Sequence, residues 1–343
     1  MKATYHKYQL NFKKPSGTSR GILTEKETWF IVIEHEGKRG VGECGLLRGL
    51  SFDDRPDYEE KLQWVCKNIS WGADLLWEEL LDFPSIQFGV EMAYRSLSSE
   101  NQFVLFPSDF TKGIKGIPIN GLVWMGDQDF MKDQIVQKLE EGFRCVKLKI
   151  GAIEFEKELQ LLRLIRENFG PEIVEIRVDA NGAFSSKDAL IKINQLSGFE
   201  LHSIEQPIAK NQHDRMAELC RSTAIPIALD EELIGINTIT EKESLLQRIT
   251  PQYIILKPSF VGGFRGTQEW IDLAKKYQIG WWITSALESN VGLNAIAQWT
   301  FLQHNSMPQG LGTGTLFTNN FDCPLQVRDG YLYYANSKWR FSL

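Results

Sequence analysis

The sequence has few cysteines, and their placement excludes a fold stapled by disulfides. Five cysteines are scattered through 343 residues, an odd number without the C-x-x-C spacing of a zinc site or redox motif. Isolated thiols of this kind are typical of a reducing compartment, so a cytoplasmic protein is expected. The five are Cys44, Cys66, Cys145, Cys220 and Cys323.

Long apolar runs and blocks of positive charge are also missing. No stretch of about 18 apolar residues is present, as a membrane-spanning helix would require. Residues 1–15 alternate polar and apolar side chains and lack the apolar centre of a signal peptide. The net charge is −6 and no basic block is present, so the sequence does not have the clustered positive charge that is typical of nucleic-acid-binding proteins. The sequence therefore favours a small-molecule partner over a membrane or a nucleic acid.

The first part of the chain has the pattern of an α+β module. Three short segments read as a strand meander, with a turn at Glu36-Gly37-Lys38 before the last strand, and two segments have helical spacing of apolar residues. The predicted strands are 5–12, 28–35 and 40–43, and the predicted helices are 59–68 and 86–97.

From about residue 106 short apolar strands alternate with helical stretches. This alternation implies a parallel sheet, and its repetition over some seven or eight units favours a (β/α)₈ barrel over an open sheet. The predicted strands are 145–150, 173–178, around 204, 225–229, 253–256 and 280–284. We predict an α/β fold with a capping domain at 1–105, a modified barrel at 106–315 and a return to the cap at 316–343. Residues 325–334 read as a hairpin around Asp329-Gly330 that packs back onto the first module.

Polar residues recur near the ends of these strands at almost one interval. From Lys149 onward the steps are 30, 26, 25, 27, 28 and 25 residues. The series is Lys147 with Lys149, then Asp179, Glu205, Asp230, Lys257, Ser285 and Gly310. Each has an ordinary explanation by itself, such as a solvated lysine, a strand-ending turn or a helix cap. Those explanations do not predict one acid or base per consecutive unit, whereas a barrel active site at the carboxyl ends of the strands does.

The three acids indicate a metal ion and the lysines indicate acid–base chemistry. Asp179, Glu205 and Asp230, if they converge, would raise each other's pKa unless a cation lies among them. Oxygen ligands without histidine or cysteine favour Mg²⁺, with Mn²⁺ as an alternative ion. Lys147 and Lys149 share one face of their strand and would point into the barrel. A lysine near a divalent cation has a lowered pKa and can act as a base near neutral pH.

These strand-end motifs resemble those of the enolase superfamily, specifically the muconate-lactonizing-enzyme subgroup, over nearly the whole chain. Sites of that superfamily are already known to combine a lysine or histidine base with Mg²⁺. The motifs are Lys147-Leu148-Lys149, Asp179-Ala180-Asn181, Glu205-Gln206-Pro207, Asp230-Glu231-Glu232 and Lys257-Pro258. The resemblance implies that Asp179, Glu205 and Asp230 bind Mg²⁺, that Lys149 is the base, that Lys257 faces it, and that Lys147 helps to hold the substrate carboxylate. None of the five histidines ends the matching strand, which disfavours the mandelate-racemase subgroup.

Within the subgroup, residues 310–320 resemble the end of the barrel in the o-succinylbenzoate synthases. Dipeptide epimerases usually carry an Asp-x-Asp pair near the eighth strand, but here Asp322 stands alone and is followed by Cys323. Racemases of N-succinyl amino acids often carry arginine three positions after the opposing lysine, where this chain has Phe260. Both departures favour the dehydratase, with the racemase or epimerase as the alternative. In Asp230-Glu231-Glu232 a glutamate replaces the serine of many relatives, which leaves the metal ligand in place.

The resemblance also implies a substrate, 2-succinyl-6-hydroxy-2,4-cyclohexadiene-1-carboxylate of menaquinone biosynthesis. Lys149 would remove the proton next to the ring carboxylate and then assist loss of the 6-hydroxyl from the same face, while Lys257 stays cationic. Ser285, Gly310 and Asn181 are candidate substrate contacts, although a helix cap explains Ser285 nearly as well. Residues 15–24, with Gly17, Arg20 and Gly21, are either a lid over the barrel mouth or an ordinary surface loop.

Overall fold

The computed structural model describes the backbone of residues 1–18 and 21–343, and the side chains up to residue 15 and from residue 21. Within these ranges no helix combines the length and the apolar character needed to cross a bilayer.

The first module is an antiparallel three-stranded sheet covered by helices, as predicted. Strands β1 (Lys2–Thr18), β2 (Gly21–His35) and β3 (Lys38–Cys44) pair in chain order. Helices α1 (Tyr58–Lys67), α2 (Ala73–Glu78) and α3 (Pro84–Ser98) follow. Helix α3 lies very close to β3. A Cβ on Gly42 would come within 1.8 Å of the Gly89 carbonyl oxygen. Glycine at this position therefore sets the distance between helix and sheet.

The second part of the chain is a parallel sheet that curls into a barrel. Its seven strands are β5 (Gly121–Val123), β6 (Cys145–Lys149), β7 (Glu175–Asp179), β8 (Ser203–Glu205), β9 (Ile227–Leu229), β10 (Tyr253–Leu256) and β11 (Gly280–Ile283). The helices around it are α4 (Gln128–Glu140), α5 (Phe155–Asn168), α6 (Ala189–Leu196), α7 (His213–Ser222), α8 (Ile239–Ile249), α9 (Pro258–Val261), α10 (Gly263–Lys276) and α11 (Asn290–Leu302).

The barrel is closed by a very short eighth element. Gly310 forms a parallel bridge with Thr284, and the preceding Gln309 forms a parallel bridge with Ile119. These two residues join the two ends of the seven-stranded sheet, so the predicted barrel is confirmed with its last strand reduced to a bridge. Apolar side chains of the strands and surrounding helices form one large buried cluster that fills the layer between them.

The tail forms the predicted hairpin, but the hairpin pairs with the barrel side of the molecule. Strands β12 (Leu325–Arg328) and β13 (Tyr331–Tyr334) pair antiparallel, and β13 pairs with β4 (Ile117–Pro118), not with the first sheet. Contacts with the first sheet come from the flanking residues, since Phe317 bridges Phe12 and the ring of Phe341 packs on Phe30. The domain boundaries at 105 and 315 remain a prediction.

The segment predicted as a lid or a surface loop belongs largely to a long β-hairpin. The backbones of Ser16, Gly17 and Thr18 pair with Leu23, Ile22 and Gly21 in turn. Ser19 and Arg20 lie outside the described residues, so the choice between lid and loop stays open.

Candidate active site

Strand register places three of the predicted site residues in one row. Lys149 at the end of β6 pairs with Asp179 at the end of β7, and Asp179 pairs with Glu205 at the end of β8. Asp230 and Lys257 follow the last residues of β9 and β10. Because these strands are parallel, all five residues lie at the carboxyl-terminal rim of the barrel, where barrel active sites are built.

The two lysines of β6 point inward onto the carboxylates. The Nζ of Lys147 lies 2.8 Å from Asp179 Oδ2 and 2.5 Å from Glu205 Oε2. The Nζ of Lys149 donates to the same Asp179 oxygen at 2.6 Å and to Asn181 Oδ1 at 2.9 Å. The predicted alternation of this strand, with both ammonium groups inside the barrel, is confirmed.

The third lysine approaches from the other side of the row. Lys257 Nζ forms a hydrogen bond with Asp230 Oδ2. The side chains of Asp179, Glu205 and Asp230 are all 2% exposed or less, and those of the three lysines are 12–15% exposed. The six predicted residues therefore form one nearly enclosed cluster of three acids and three amines.

The three acids differ in their affinity for protons. Burial together with the negative charges of Asp179 and Asp230 raises the pKa of Glu205 well above its ordinary value. Burial opposes ionisation of Asp179 too, but Lys147 and Lys149 outweigh it and lower the pKa of Asp179. The central glutamate is thus the acid that most needs another positive charge beside it.

The charges of the buried carboxylates raise the pKa of two of the lysines. Burial alone would lower the pKa of Lys147 and Lys257, but the surrounding carboxylates outweigh it and raise both. The lowered lysine pKa predicted from the sequence stays a prediction. That prediction included the charge of a divalent cation, whereas protein groups alone give the raised values.

The donor set fits a hard divalent cation. Among the described residues, Glu205 Oε1 is buried and has no hydrogen-bond partner, which is costly unless a ligand completes the site. The available donors are carboxylate oxygens, the preferred ligands of Mg²⁺. Lys147 Nζ contacts both Asp179 Oδ2 and Glu205 Oε2, and among the described residues no group of three or more His, Cys, Asp or Glu side chains is arranged to hold a metal ion.

The candidate substrate contacts have protein partners. Asn181 bridges the cluster, accepting from Lys149 and donating through Nδ2 to Glu231 Oε1 at 3.0 Å. Ser285 Oγ lies 2.6 Å from Thr313 Oγ1. The alternative that Ser285 caps a helix is wrong, because Ser289 is the residue that caps α11. The role of Asn181, Ser285 and Gly310 in substrate binding remains a prediction.

A second buried charge cluster lies between the cap and the barrel and was not predicted. Glu43 of β3 accepts hydrogen bonds from Thr28, Ser289 and Gly292. The ammonium of Lys26 is fully buried beside Glu43, and burial lowers its pKa. Residues 24–28 are all polar and resemble a solvated strand, so they do not indicate a buried lysine at position 26.

Comparison with known proteins identifies the family. Residues 131–337 match the model described as enolase C-terminal domain-like, and residues 1–97 match that of the MenC N-terminal domain. An o-succinylbenzoate synthase from Desulfotalea psychrophila is 47% identical, over 97% of this chain and 98% of that protein. The chain belongs to the o-succinylbenzoate synthase family of the enolase superfamily. The crystal structure of MenC from the same organism superimposes with a TM-score of 0.86, covering 97% of this chain and 99% of that one at 44% identity.

Membership of the o-succinylbenzoate synthase family implies an enzyme that depends on a divalent metal ion, in agreement with the cluster of acids and lysines. The N-succinylamino acid racemase of an Amycolatopsis species is also similar, at 30% identity over 88% of this chain and 82% of that protein. At the position where such racemases often carry arginine, Phe260 is buried and its ring centroid lies 5.6 Å from Lys257 Nζ.

Proposed function

We propose that this chain is a Mg²⁺-dependent hydro-lyase of the cytoplasm, which converts 2-succinyl-6-hydroxy-2,4-cyclohexadiene-1-carboxylate to 2-succinylbenzoate in menaquinone biosynthesis. The observation that carries the proposal is the pairing of Lys149 and Lys257 with different carboxylates of one buried cluster. The 47% identity to an o-succinylbenzoate synthase over nearly the full length of both chains supports the choice of substrate.

Asp179, Glu205 and Asp230 would hold the metal ion. A bound Mg²⁺ would supply electrostatic stabilisation for the charge that develops on the substrate carboxylate as the adjacent carbon loses its proton. The partnerless buried oxygen of Glu205 supports this assignment.

The lysines would carry out the proton transfers. Lys149 removes the proton from the ring carbon that bears the carboxylate, and its ammonium then donates a proton to the departing 6-hydroxyl. The products are water and an aromatic ring, so the reaction consumes no further reagent. Lys257 keeps its positive charge and stabilises the developing anion from the other side, in keeping with the raised pKa that its carboxylate neighbours cause. Lys147 holds the substrate carboxylate near the metal ligands.

Turnover of the cyclohexadiene substrate tests the proposal. Formation of the aromatic product, followed by ultraviolet absorbance, is expected with Mg²⁺ present and is expected to stop when a chelator removes the ion. Restoring Mg²⁺ in excess of the chelator should restore the rate, which separates metal dependence from irreversible damage. Absence of product at saturating Mg²⁺ from protein that is folded by circular dichroism would contradict the assignment.

The similarity to the N-succinylamino acid racemase supports a second candidate, racemisation of an N-acyl amino acid or epimerisation of a dipeptide. Such a reaction exchanges the α-hydrogen with solvent and inverts the carbon without loss of water. Incubating N-succinyl amino acids in D₂O and following deuterium uptake by NMR distinguishes the two activities. Rapid exchange and inversion combined with no dehydration would favour the racemase.

A further inference from the structure

The loops that carry two of the proposed metal ligands are joined by one buried side chain, Gln206. Its carboxamide oxygen accepts from the backbone N–H groups of Asp230 and Glu232, both at 3.3 Å. Its amide nitrogen donates to the Ile208 carbonyl oxygen and to Glu232 Oε2, both at 3.0 Å. Because Gln206 directly follows Glu205, the loop after β8 and the loop after β9 are held in a fixed relation.

The backbone of Gln206 needs this support. Its φ of 39° lies in the left-handed region, which is unfavourable for a residue other than glycine and persists only where surrounding contacts impose it. The four hydrogen bonds of the carboxamide are contacts of this kind. They use the full set of partners expected of a buried amide side chain.

Glu232 connects this arrangement to a helix near the surface. Its side chain is 1% exposed, yet its Oε1 accepts from the Asn211 N–H at 2.8 Å and lies 3.0 Å from His213 Nε2. His213 is the first residue of α7, a quarter of its side chain is exposed, and its Nδ1 lies 3.3 Å from Arg248 Nη1. Arg248 in turn pairs with Asp214. A continuous line of polar contacts therefore runs from solvent to the ligand loops.

We propose that Glu232 and His213 are positioning residues of the metal site, which act through Gln206 on the backbones of Glu205 and Asp230. This inference rests on the proposed function, because it concerns the ion that those ligands would hold. Glu232 is distinct from the three proposed ligands, and both of its carboxylate oxygens have protein donors. Its role is to keep two ligand loops ordered before the ion arrives, so that binding does not have to supply that order.

Calorimetric titration with MgCl₂, in the absence of substrate, measures the effect directly. Glu232→Ser removes both acceptor oxygens, and we expect the Kd for Mg²⁺ to rise roughly 10- to 100-fold, as is usual when a partner of a metal ligand is lost. His213→Ala removes one hydrogen-bond donor to Glu232. The Kd for Mg²⁺ should rise about 5-fold, the change expected from the loss of one hydrogen bond. His213→Gln keeps an N–H donor and should recover much of that loss.

Two substitutions elsewhere serve as matched controls. His202→Gln changes the histidine just before β8, at the opposite end of that strand from Glu205. Glu91→Ser removes a half-buried glutamate of α3, whose carboxylate accepts from the N–H groups of Phe264 and Arg265. We expect both proteins to bind Mg²⁺ like the parent protein, even if Glu91→Ser lowers the melting temperature.

The dependence of turnover on Mg²⁺ provides a second readout. In Glu232→Ser the Mg²⁺ concentration for half-maximal rate should increase in proportion to the Kd, while kcat at saturating Mg²⁺ recovers, because Lys149 and Lys257 are unchanged. Equal Mg²⁺ affinity in the parent, Glu232→Ser and His213→Ala proteins would overturn the inference while leaving the proposed function intact. If Glu232→Ser does not fold, the His213 variants decide the matter. A parent protein that binds no Mg²⁺ would overturn the proposed cofactor, and this inference with it.

Discussion

At the scale of single residues, burial and neighbouring charges together decide which acids of the site are ionised. Asp179 accepts from two ammonium groups through one oxygen, whereas Glu205 retains a buried oxygen without a partner among the described residues. Evolution seldom places such groups in an interior for stability, because a hydrophobic replacement is often as stable. Their arrangement is better explained by chemistry than by folding.

Replacement of the proposed base should separate activity from stability. Lys149→Ala is expected to reduce turnover by a factor of about 10³ or more, because the variant lacks the amine that removes the substrate proton. The free energy of unfolding should change by no more than about 1 kcal/mol, because functional charges rarely stabilise a fold. Lys132→Ala, at an exposed position of α4, is the control and should leave both unchanged. Turnover in Lys149→Ala near that of the parent enzyme would contradict the assignment of the base.

The convergence of the six predicted site residues was predictable, because parallel strands place their carboxyl ends at one rim and each strand contributes an acid or a base there. Glu232 and Lys26 were not recognisable, because their partners depend on loop paths and on the docking of the cap. His213 is separated from Glu232 by 18 intervening residues, and no periodicity links them.

At the scale of elements, the meander and six of the seven barrel strands were predicted, with differences at their ends, whereas β5 (Gly121–Val123) was not predicted. Strand β9 begins at Ile227 instead of the predicted 225, because Pro226 lacks the N–H that a ladder requires. The eighth strand was not recognisable as a strand, since Gln309 and Gly310 offer no apolar run. The repeat interval alone indicated it, because Gly310 comes 25 residues after Ser285.

The close approach of α3 to β3 gives a prediction at this scale. A methyl group on Gly42 would overlap the Gly89 carbonyl, so Gly42→Ala should lower the free energy of unfolding by about 3 kcal/mol, measured by urea denaturation. Gly198→Ala is the matched control, because a Cβ there meets no atom within 4 Å. Equal stability of the two variants would mean that the helix and sheet are less tightly packed than described.

At the scale of the whole molecule, polar contacts join the cap to the barrel. The carboxylate of Glu91 on α3 accepts from the N–H groups of Phe264 and Arg265 in the first turn of α10. Burial raises the pKa of Glu91 from 4.5 to about 7, although these N–H donors oppose the shift. The junction between the two parts therefore contains an acid that ionises near neutral pH.

This shift makes stability depend on pH with a definite sign. The folded protein holds the Glu91 proton more tightly than the unfolded chain, so protons are released on unfolding between about pH 4.5 and 7. As the pH rises across that interval, the free energy of unfolding should fall by at most roughly 3 kcal/mol because of this residue. Below about pH 4.5 the stabilisation that the bound proton provides is fully present. In Glu91→Gln this component should vanish, as measured by urea denaturation at several pH values. Parallel curves for the two proteins would contradict the shift.

The first sheet is completed by residues from the far end of the sequence. Tyr8 donates to the Asn319 carbonyl oxygen 311 positions away, and Asn11 accepts from the N–H of Thr318. During translation, β1 emerges from the ribosome long before these partners exist, and until they arrive the neighbouring edge of the nascent sheet has unpaired backbone groups. We therefore expect the amides on this edge of β1 to be among the last to gain protection when ribosome-bound chains of increasing length are pulse-labelled, despite being synthesised first.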